Sequence, residues 1–172
     1  MPRAPKPILP DRLRPGLDLV FCGTAAGRQS ALQQAYYAHP QNRFWTTLHM
    51  VGLTPRLYAP HEYELLWELG IGLTDIAKHV YGMDHQLPPD ALGGAAAAAL
   101  RRRIRAASPR LLAFTSLNAG RKVMGARAVA GEQPDRLEQT RGFILPSPSP
   151  LAANHWDIAP WRALAKAVKA SG

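Results

Sequence analysis

Residues 17–27 read LDLVFCGTAAG, a short apolar run that passes directly into a loop flanked by two glycines. An apolar run of this length, closed by glycine, predicts a strand buried on both faces. Two further runs of this kind lie at residues 110–116 and 142–146. Helical patterns separate them, at residues 43–51, 60–69, 92–106, 118–124 and 161–170. The alternation predicts an α/β fold with a parallel sheet between two layers of helices.

Ligands of such sheets bind outside the carboxyl ends of the strands, so the loops after Cys22, Ser116 and Leu145 are the candidate site. The first loop resembles a phosphate-binding loop, but its glycines are one residue too close. Arg28-Gln29 also stand where Lys-Ser/Thr is required. The alternative of a nucleotide-binding α/β protein therefore lacks its main motif, and the loop taken alone is interpreted as a structural turn between strand and helix.

The composition limits the function classes. The chain has 172 residues, which suits one domain, with 21 Lys and Arg against 12 acids and a net charge of +9. This basicity favours a polyanionic partner, although general surface basicity explains it too. We expect residues 1–16 to form an extended basic, proline-rich arm and residues 17–172 a single domain.

The residue types also set expectations for cofactors and location. The single cysteine, Cys22, permits neither an internal disulfide nor a cluster held by about four cysteines, and the histidines lack metal-binding spacing. No apolar run reaches the ~18 residues of a membrane span, and the N-terminus lacks a signal-peptide core. We therefore expect a monomeric cytoplasmic protein, from a bacterium by its composition, without metal, iron–sulfur cluster or other cofactor and without membrane contact.

A polar segment, HPQNRFW at residues 39–45, opens into two adjacent aromatic residues. Aromatic rings beside cations can stack on a nucleic-acid base while the cations hold phosphates. The same pattern also fits a capped helix whose Phe44 and Trp45 belong to the core.

Four segments together resemble one protein family. The 23–27 loop, ALQQAYYA at 31–38, HPQNRFW and GLTP at 52–55 are similar, without a gap, to mismatch-specific uracil/thymine DNA glycosylases. GLTDIA at 72–77 resembles that family's next segment. LPSPSPL at 145–151 resembles the closing motif of the uracil-DNA glycosylase superfamily, in the form used by classical uracil glycosylases. The single cysteine excludes the iron–sulfur branch.

The resemblance implies a three-layer α/β/α sandwich with a central, mostly parallel four-stranded sheet. It also implies hydrolysis of the N-glycosidic bond of a flipped uracil in DNA, the first step of base excision repair. Phe44 corresponds to the ring that stacks on the base. The residues implied to line the base pocket are Gly23, Thr24, Ala25, Ala26, Gly27 and Asp75.

Two departures from the family pattern affect the chemistry. Ala25 replaces the Asn or Asp that orients the water, and Ser147 replaces the His or Asn that stabilises the base anion. Either the chemistry has moved or the protein is a non-catalytic binder of damaged or base-flipped DNA. Asp75 is our candidate replacement, unless it caps a helix beginning at Ile76. Asn42, Ser147 and, more weakly, Thr24 and His155 are candidate helpers.

The resemblance also implies a DNA-contacting surface. Leu151 is the candidate wedge that fills the gap left by the flipped base, on a loop that prolines stiffen. The other residues predicted to contact DNA are Ser147, Ser149, Pro150, Asn154, His155, Arg121 and Lys122. The arginines at 101–105 are expected to form a solvated helix face, with a DNA-backbone role as the alternative. The small side chains at 25 and 26 predict tolerance of modified bases besides uracil.

Overall fold

A computed structural model describes residues 5–170. Its centre is a five-stranded sheet in the order β2-β1-β3-β5-β4. The strands are β1 (Leu19–Gly23), β2 (Ile71–Asp75), β3 (Leu111–Phe114), β4 (Gly131–Leu137) and β5 (Thr140–Ile144). β2, β1, β3 and β5 are parallel neighbours, and β4 pairs antiparallel with β5. The predicted mostly parallel sheet is confirmed, but the strand count of four was wrong.

Helices cover both faces of the sheet. They are α1 (Arg28–Gln33), α2 (Phe44–Met50), α3 (Gly94–Ala107), α4 (Leu117–Met124) and α5 (Ala159–Ala170). Three stretches form 3-10 helices: Pro60–Leu69, Asp84–Gln86 and Pro150–His155. The predicted helix over residues 60–69 is therefore present in position but is of the tighter 3-10 type.

Two apolar cores flank the sheet, because successive strand residues point to opposite faces. Leu19 and Phe21 of β1 pack into one core, which α2 and α5 complete with Leu48 and Trp161. Val20 and Cys22 pack into the other, which α3 and α4 complete with residues that include Leu100, Ile104 and Val123. The predicted three layers follow from this alternation.

The segment before β1 lies against the outer edge of β2. Arg12 and Leu73 exchange backbone hydrogen bonds of 2.9 and 3.1 Å, and the Ile8 N–H donates to the Lys78 carbonyl at 2.7 Å. Leu9 is fully buried. Residues 1–4 of the predicted arm, like residues 171–172, lie outside the described residues.

Among residues 5–170, none of the helices combines the length and the apolar character needed to cross a bilayer. The same residues include no group of three or more His, Cys, Asp or Glu side chains placed to hold a metal ion.

Candidate active site

Three parallel strands end side by side at one edge of the sheet. Gly23, the last residue of β1, is in register with Asp75, the last residue of β2. Thr115 follows the neighbouring β3, and its N–H donates to the Cys22 carbonyl at 2.9 Å. This is the carboxyl edge, where ligands of parallel sheets bind.

Gly23 is required for the close packing at this edge. A Cβ atom at this position would lie 2.8 Å from Asp75 Oδ1, 3.4 Å from Thr115 Oγ1 and 3.5 Å from Tyr37 Oη. The missing side chain of Gly23 therefore lets a carboxyl group and two hydroxyl groups converge on one point of the backbone.

Asp75 is a buried carboxyl group, with 5% of its surface exposed. Burial raises the pKa of Asp75 to about 7, with a further increase from Asp11. Lys78, Arg103 and a hydrogen bond from the Gly23 backbone act in the opposite direction on this pKa. Near neutral pH the group can accept or release a proton.

The alternative structural role of Asp75 was wrong. Asp75 ends a strand, and the chain continues from Ile76 as a bend rather than as a helix. The Ile76 N–H is bound to the Gly23 carbonyl at 2.9 Å, so Asp75 caps no helix here.

Tyr37 is a site residue that the sequence reasoning missed. Its ring stacks on Phe44 with ring centroids 3.9 Å apart and planes 18° from parallel. Its hydroxyl is 2.9 Å from Thr115 Oγ1. Burial raises the pKa of Tyr37 well above its usual value, and the nearby Asp75 raises it further, so the hydroxyl keeps its proton.

Phe44 lies beneath the Tyr37 ring, deeper in the protein than we predicted. It is 0% exposed, because Tyr37 covers one face and Phe21 meets it edge-on at 5.0 Å. Phe44 therefore offers no free face to a base in this arrangement, and it supports the Tyr37 ring. The adjacent pair Tyr36-Tyr37 in the 31–38 motif was the available sequence signal.

The 23–27 loop is held by backbone bonds to the chain after β2. The Ala77 N–H donates to the Thr24 carbonyl at 2.8 Å, and the Gly82 N–H donates to the Ala26 carbonyl at 2.9 Å. Ala26 is buried, Ala25 is half-buried, and Gly27 is exposed at the start of α1. The Thr24 hydroxyl donates to Asp84 Oδ1 at 2.6 Å, and is thus engaged at the surface.

The closing loop follows β5 at the same edge of the sheet. The Pro146 carbonyl accepts from Trp161 Nε1 at 3.1 Å, and the Pro148 carbonyl accepts from the Arg43 N–H at 2.9 Å. Ser147 is half-buried, and its Oγ accepts from the Ser149 N–H at 3.2 Å. These bonds fix the loop at its base.

The outer part of this loop is open to solvent. Leu151 is 71% exposed, and Asn154 and His155 are exposed beside it. Ser149 and Pro150 are half-buried, and Ser149 Oγ accepts from the Leu151 N–H at 3.3 Å. Leu151 is thus an exposed apolar side chain on the loop that follows β5.

The remaining predicted residues lie just before α2 and on α4. Asn42 Oδ1 accepts from the Phe44 N–H at 2.8 Å, so its carbonyl oxygen holds the start of α2. Arg121 and Lys122 are exposed on α4, and Arg121 Nε donates to the Ala128 carbonyl at 2.9 Å.

The arginines at 101–105 do not form one solvated face, and this expectation was wrong in part. Arg101, Arg102 and Arg105 are exposed as expected, whereas Arg103 is half-buried and contacts both Asp11 and the Asp75 carbonyl. Arg101 donates to the Val123 carbonyl.

Fold and site together define an α/β protein whose parallel sheet carries a buried carboxyl group and a stacked aromatic pair at its carboxyl edge. A family model for the uracil DNA glycosylase superfamily matches residues 10–168, and the chain belongs to that superfamily. Membership points to a DNA glycosylase acting on DNA.

The fold is also similar to the solution NMR structure of a protein from Methanosarcina acetivorans that is described as a candidate uracil DNA glycosylase. The two share 20% sequence identity with a TM-score of 0.64, over 94% of this chain and 96% of that one. At this identity the likeness supports the shared fold.

Proposed function

We propose that this chain is a monofunctional uracil-DNA glycosylase that begins base excision repair, most like the mismatch-specific uracil/thymine branch. It would act as a monomer, with neither metal nor cofactor. The observation that carries the proposal is the buried Asp75 carboxyl group at the carboxyl edge of the sheet. A carboxyl group with its pKa raised by burial is a general base suited to neutral pH.

Asp75 would act on the sugar side of the bond. As a carboxylate it stabilises the cationic character that develops on the sugar, and it orients a water toward the anomeric carbon. The bond between that carbon and the base breaks, and the base leaves with the bonding electrons. The water oxygen bonds to the carbon, and one of its protons passes to the Asp75 carboxylate. The base leaves as an anion, and the proton held by Asp75 is then released to it through solvent. The products are an abasic site and the neutral free base, and the carboxylate is restored.

Tyr37 would provide the aromatic surface for the base, in place of the predicted Phe44. Its ring is supported from below by Phe44 and fixed by the bond between its hydroxyl and Thr115. A ring held in this way can stack on a flipped base at little entropic cost. The 23–27 loop supplies backbone groups beside it, and Ser147 would donate a hydrogen bond to the departing base.

The small residues of the first loop support a broad range of bases. Ala25 and Ala26 carry small side chains in the loop beside the proposed base surface, and Ala25 is only half-buried. We therefore expect excision of hypoxanthine, xanthine and 5-substituted uracils as well as uracil.

An excision assay tests the proposal. End-labelled oligonucleotides, each with one of these lesions, are incubated with the protein, and alkali then cleaves any abasic site. We expect strand breaks with uracil and with several other lesions. Strand breaks with uracil alone would contradict the broad range. Tight binding without any product would favour the alternative of a non-catalytic binder of base-flipped DNA.

A further inference from the structure

A cluster of charged and polar side chains lies behind the candidate catalytic residue, and its centre is Asp11 from the segment before β1. Asp11 Oδ1 is 2.7 Å from Lys78 Nζ and accepts from the Thr74 hydroxyl at 2.7 Å. Asp11 Oδ2 is 3.1 Å from Arg103 Nε. We call these four residues the Asp11 cluster.

The Asp11 cluster holds the backbone on both sides of Asp75. Arg103 Nη2 donates to the Asp75 carbonyl oxygen at 2.6 Å, and Thr74 is the residue before Asp75 in β2. Lys78 lies three residues after Asp75, and its carbonyl accepts from the Ile8 N–H at 2.7 Å. One carboxylate thus ties three separate parts of the chain around one strand end.

The cluster is well shielded from solvent. The Lys78 side chain is only 10% exposed, and the Asp11 and Arg103 side chains are each 25% exposed. Charges in such a setting act on one another more strongly than at an open surface, because water screens them less.

We propose that Asp11 is a positioning residue for Asp75, so that the segment before the sheet completes the active site. It fixes the backbone that carries Asp75, and it neutralises the two cations beside this strand end, Lys78 and Arg103. This inference rests on the proposed function of Asp75.

The charges around Asp75 determine whether its pKa should rise or fall when Asp11 is replaced. Lys78 and Arg103 lower the pKa of Asp75, and Asp11 raises it. The other titratable neighbours, Cys22, Tyr36 and Tyr37, stay protonated because burial raises the pKa of each. Without Asp11, two uncompensated cations would favour the carboxylate and make it a weaker base.

Two substitutions that change the charge beside Asp75 in opposite senses test this positioning role. In each variant, carbon-13 NMR of the Asp75 carboxyl group measures the pKa of that group. Asp11→Asn keeps the acceptor oxygen for Thr74 but removes the charge, so the pKa of Asp75 should fall by about 1. Lys78→Gln removes a cation from the same pair, so that pKa should rise. As a control, Glu138→Gln removes the exposed partner of Arg105 and should leave the pKa of Asp75 unchanged.

The pH dependence of single-turnover excision supplies a second measurement. Its acidic limb should move to lower pH in Asp11→Asn and to higher pH in Lys78→Gln. A contact that is merely structural would leave the pKa of Asp75 unchanged in Asp11→Asn. If Asp11→Asn does not fold, Asp11→Glu replaces it, because the longer side chain keeps the charge but displaces the carboxylate from Lys78, Thr74 and Arg103. An Asp75 pKa equal to that of wild type in Asp11→Glu would then overturn the inference.

The titration separates this inference from the proposed function, because it does not require catalysis. A wild-type protein without excision product contradicts the proposed function, whatever the NMR titration shows. An active protein in which Asp11→Asn leaves the Asp75 pKa unchanged contradicts the role of Asp11 alone.

Discussion

Asp75 and Gly23 depend on each other at the centre of the site. Asp75 Oδ1 occupies the space that a side chain at position 23 would fill, and the Gly23 backbone is hydrogen-bonded to the carboxyl group. The arrangement keeps a titrating group in a buried position. Burying an ionised carboxyl group costs folding free energy, so the residue that we propose to be catalytic also destabilises the fold.

The stability of Asp75→Asn should therefore depend on pH. The folded pKa of about 7 lies above an unfolded value of about 3.9, so folding favours the protonated form. The cost is absent below about pH 4, grows as the pH rises and is complete above about 7. We expect the variant to gain stability at pH 8, by about 1.4 kcal/mol for each pH unit between the folded and unfolded pKa values, and little near pH 4.

Urea unfolding of wild type and Asp75→Asn at the two pH values measures this difference. An equal difference in the free energy of unfolding at pH 4 and pH 8 would show that Asp75 is not a buried titrating group.

At the residue scale, motif position identified Asp75 but could not identify the ring beside it. Tyr37 and Phe44 are seven positions apart, and only the fold shows which of them covers the other. Tyr37 also adopts a left-handed backbone with φ of 54°, which its sequence does not signal. Nothing in the sequence singles out Asp11 within the predicted arm. Its partners come from β2, the following loop and α3, which are distant in sequence and meet Asp11 only in the fold.

Among the elements, the closing loop between β5 and α5 has an anchored first part and an exposed tip. Backbone carbonyls of Pro146 and Pro148 anchor it to α5 and to the start of α2. Leu151 extends from the 3-10 helix that follows, largely free of intramolecular packing. Such a loop can press an apolar side chain into a duplex without rearranging itself.

We predict that Leu151→Ala lowers excision of uracil from double-stranded DNA by about tenfold, equivalent to roughly 1.4 kcal/mol. Single-stranded substrate should be affected much less, because no base gap has to be filled. The melting temperature should not change, since the side chain is 71% exposed.

Leu57→Ala is the matched control for this prediction, as Leu57 is an exposed leucine in a different segment and is 51% accessible. Equal rate losses on both DNA forms in Leu151→Ala, or equal losses in the two variants, would contradict the wedge role.

The elements differ in how clearly the sequence announces them. β1, β3 and β5 are apolar runs and were predicted. β2 was not predicted as a strand, because Gly72, Thr74 and Asp75 interrupt its apolar pattern. β4 reads as a loop because it is largely polar and contains Pro134, which an edge strand tolerates.

At the scale of the whole molecule, the cations that make up the net charge of +9 lie at different distances from the site. α4 begins at the carboxyl edge after β3, and it exposes Arg121 and Lys122 in its last turn. The last turn of α3, which precedes β3, lies toward the opposite edge and carries Arg105, paired with Glu138 at 2.5 Å. We expect DNA that binds over the site to extend along α4 and to contact Arg121 and Lys122, but not Arg105.

The salt dependence of DNA binding should reflect this geometry. In the double variant Arg121→Ala/Lys122→Ala, the slope of log affinity against log salt should become shallower by about 1 for each lost phosphate contact. Arg105→Ala should keep the wild-type slope. Fluorescence anisotropy across a salt series measures both, and equal slopes in wild type and the double variant would remove α4 from the DNA interface.

Asp75 is the residue that we propose to carry out glycosidic bond cleavage. The most direct measurement is the single-turnover rate of uracil excision from a duplex oligonucleotide by wild type, Asp75→Asn and Asp75→Ala, with folding checked by circular dichroism. We predict alkali-labile product with wild type and a loss of about 100-fold or more in both variants, with the fold retained. Near wild-type rates in both variants would show that Asp75 is not the catalytic residue.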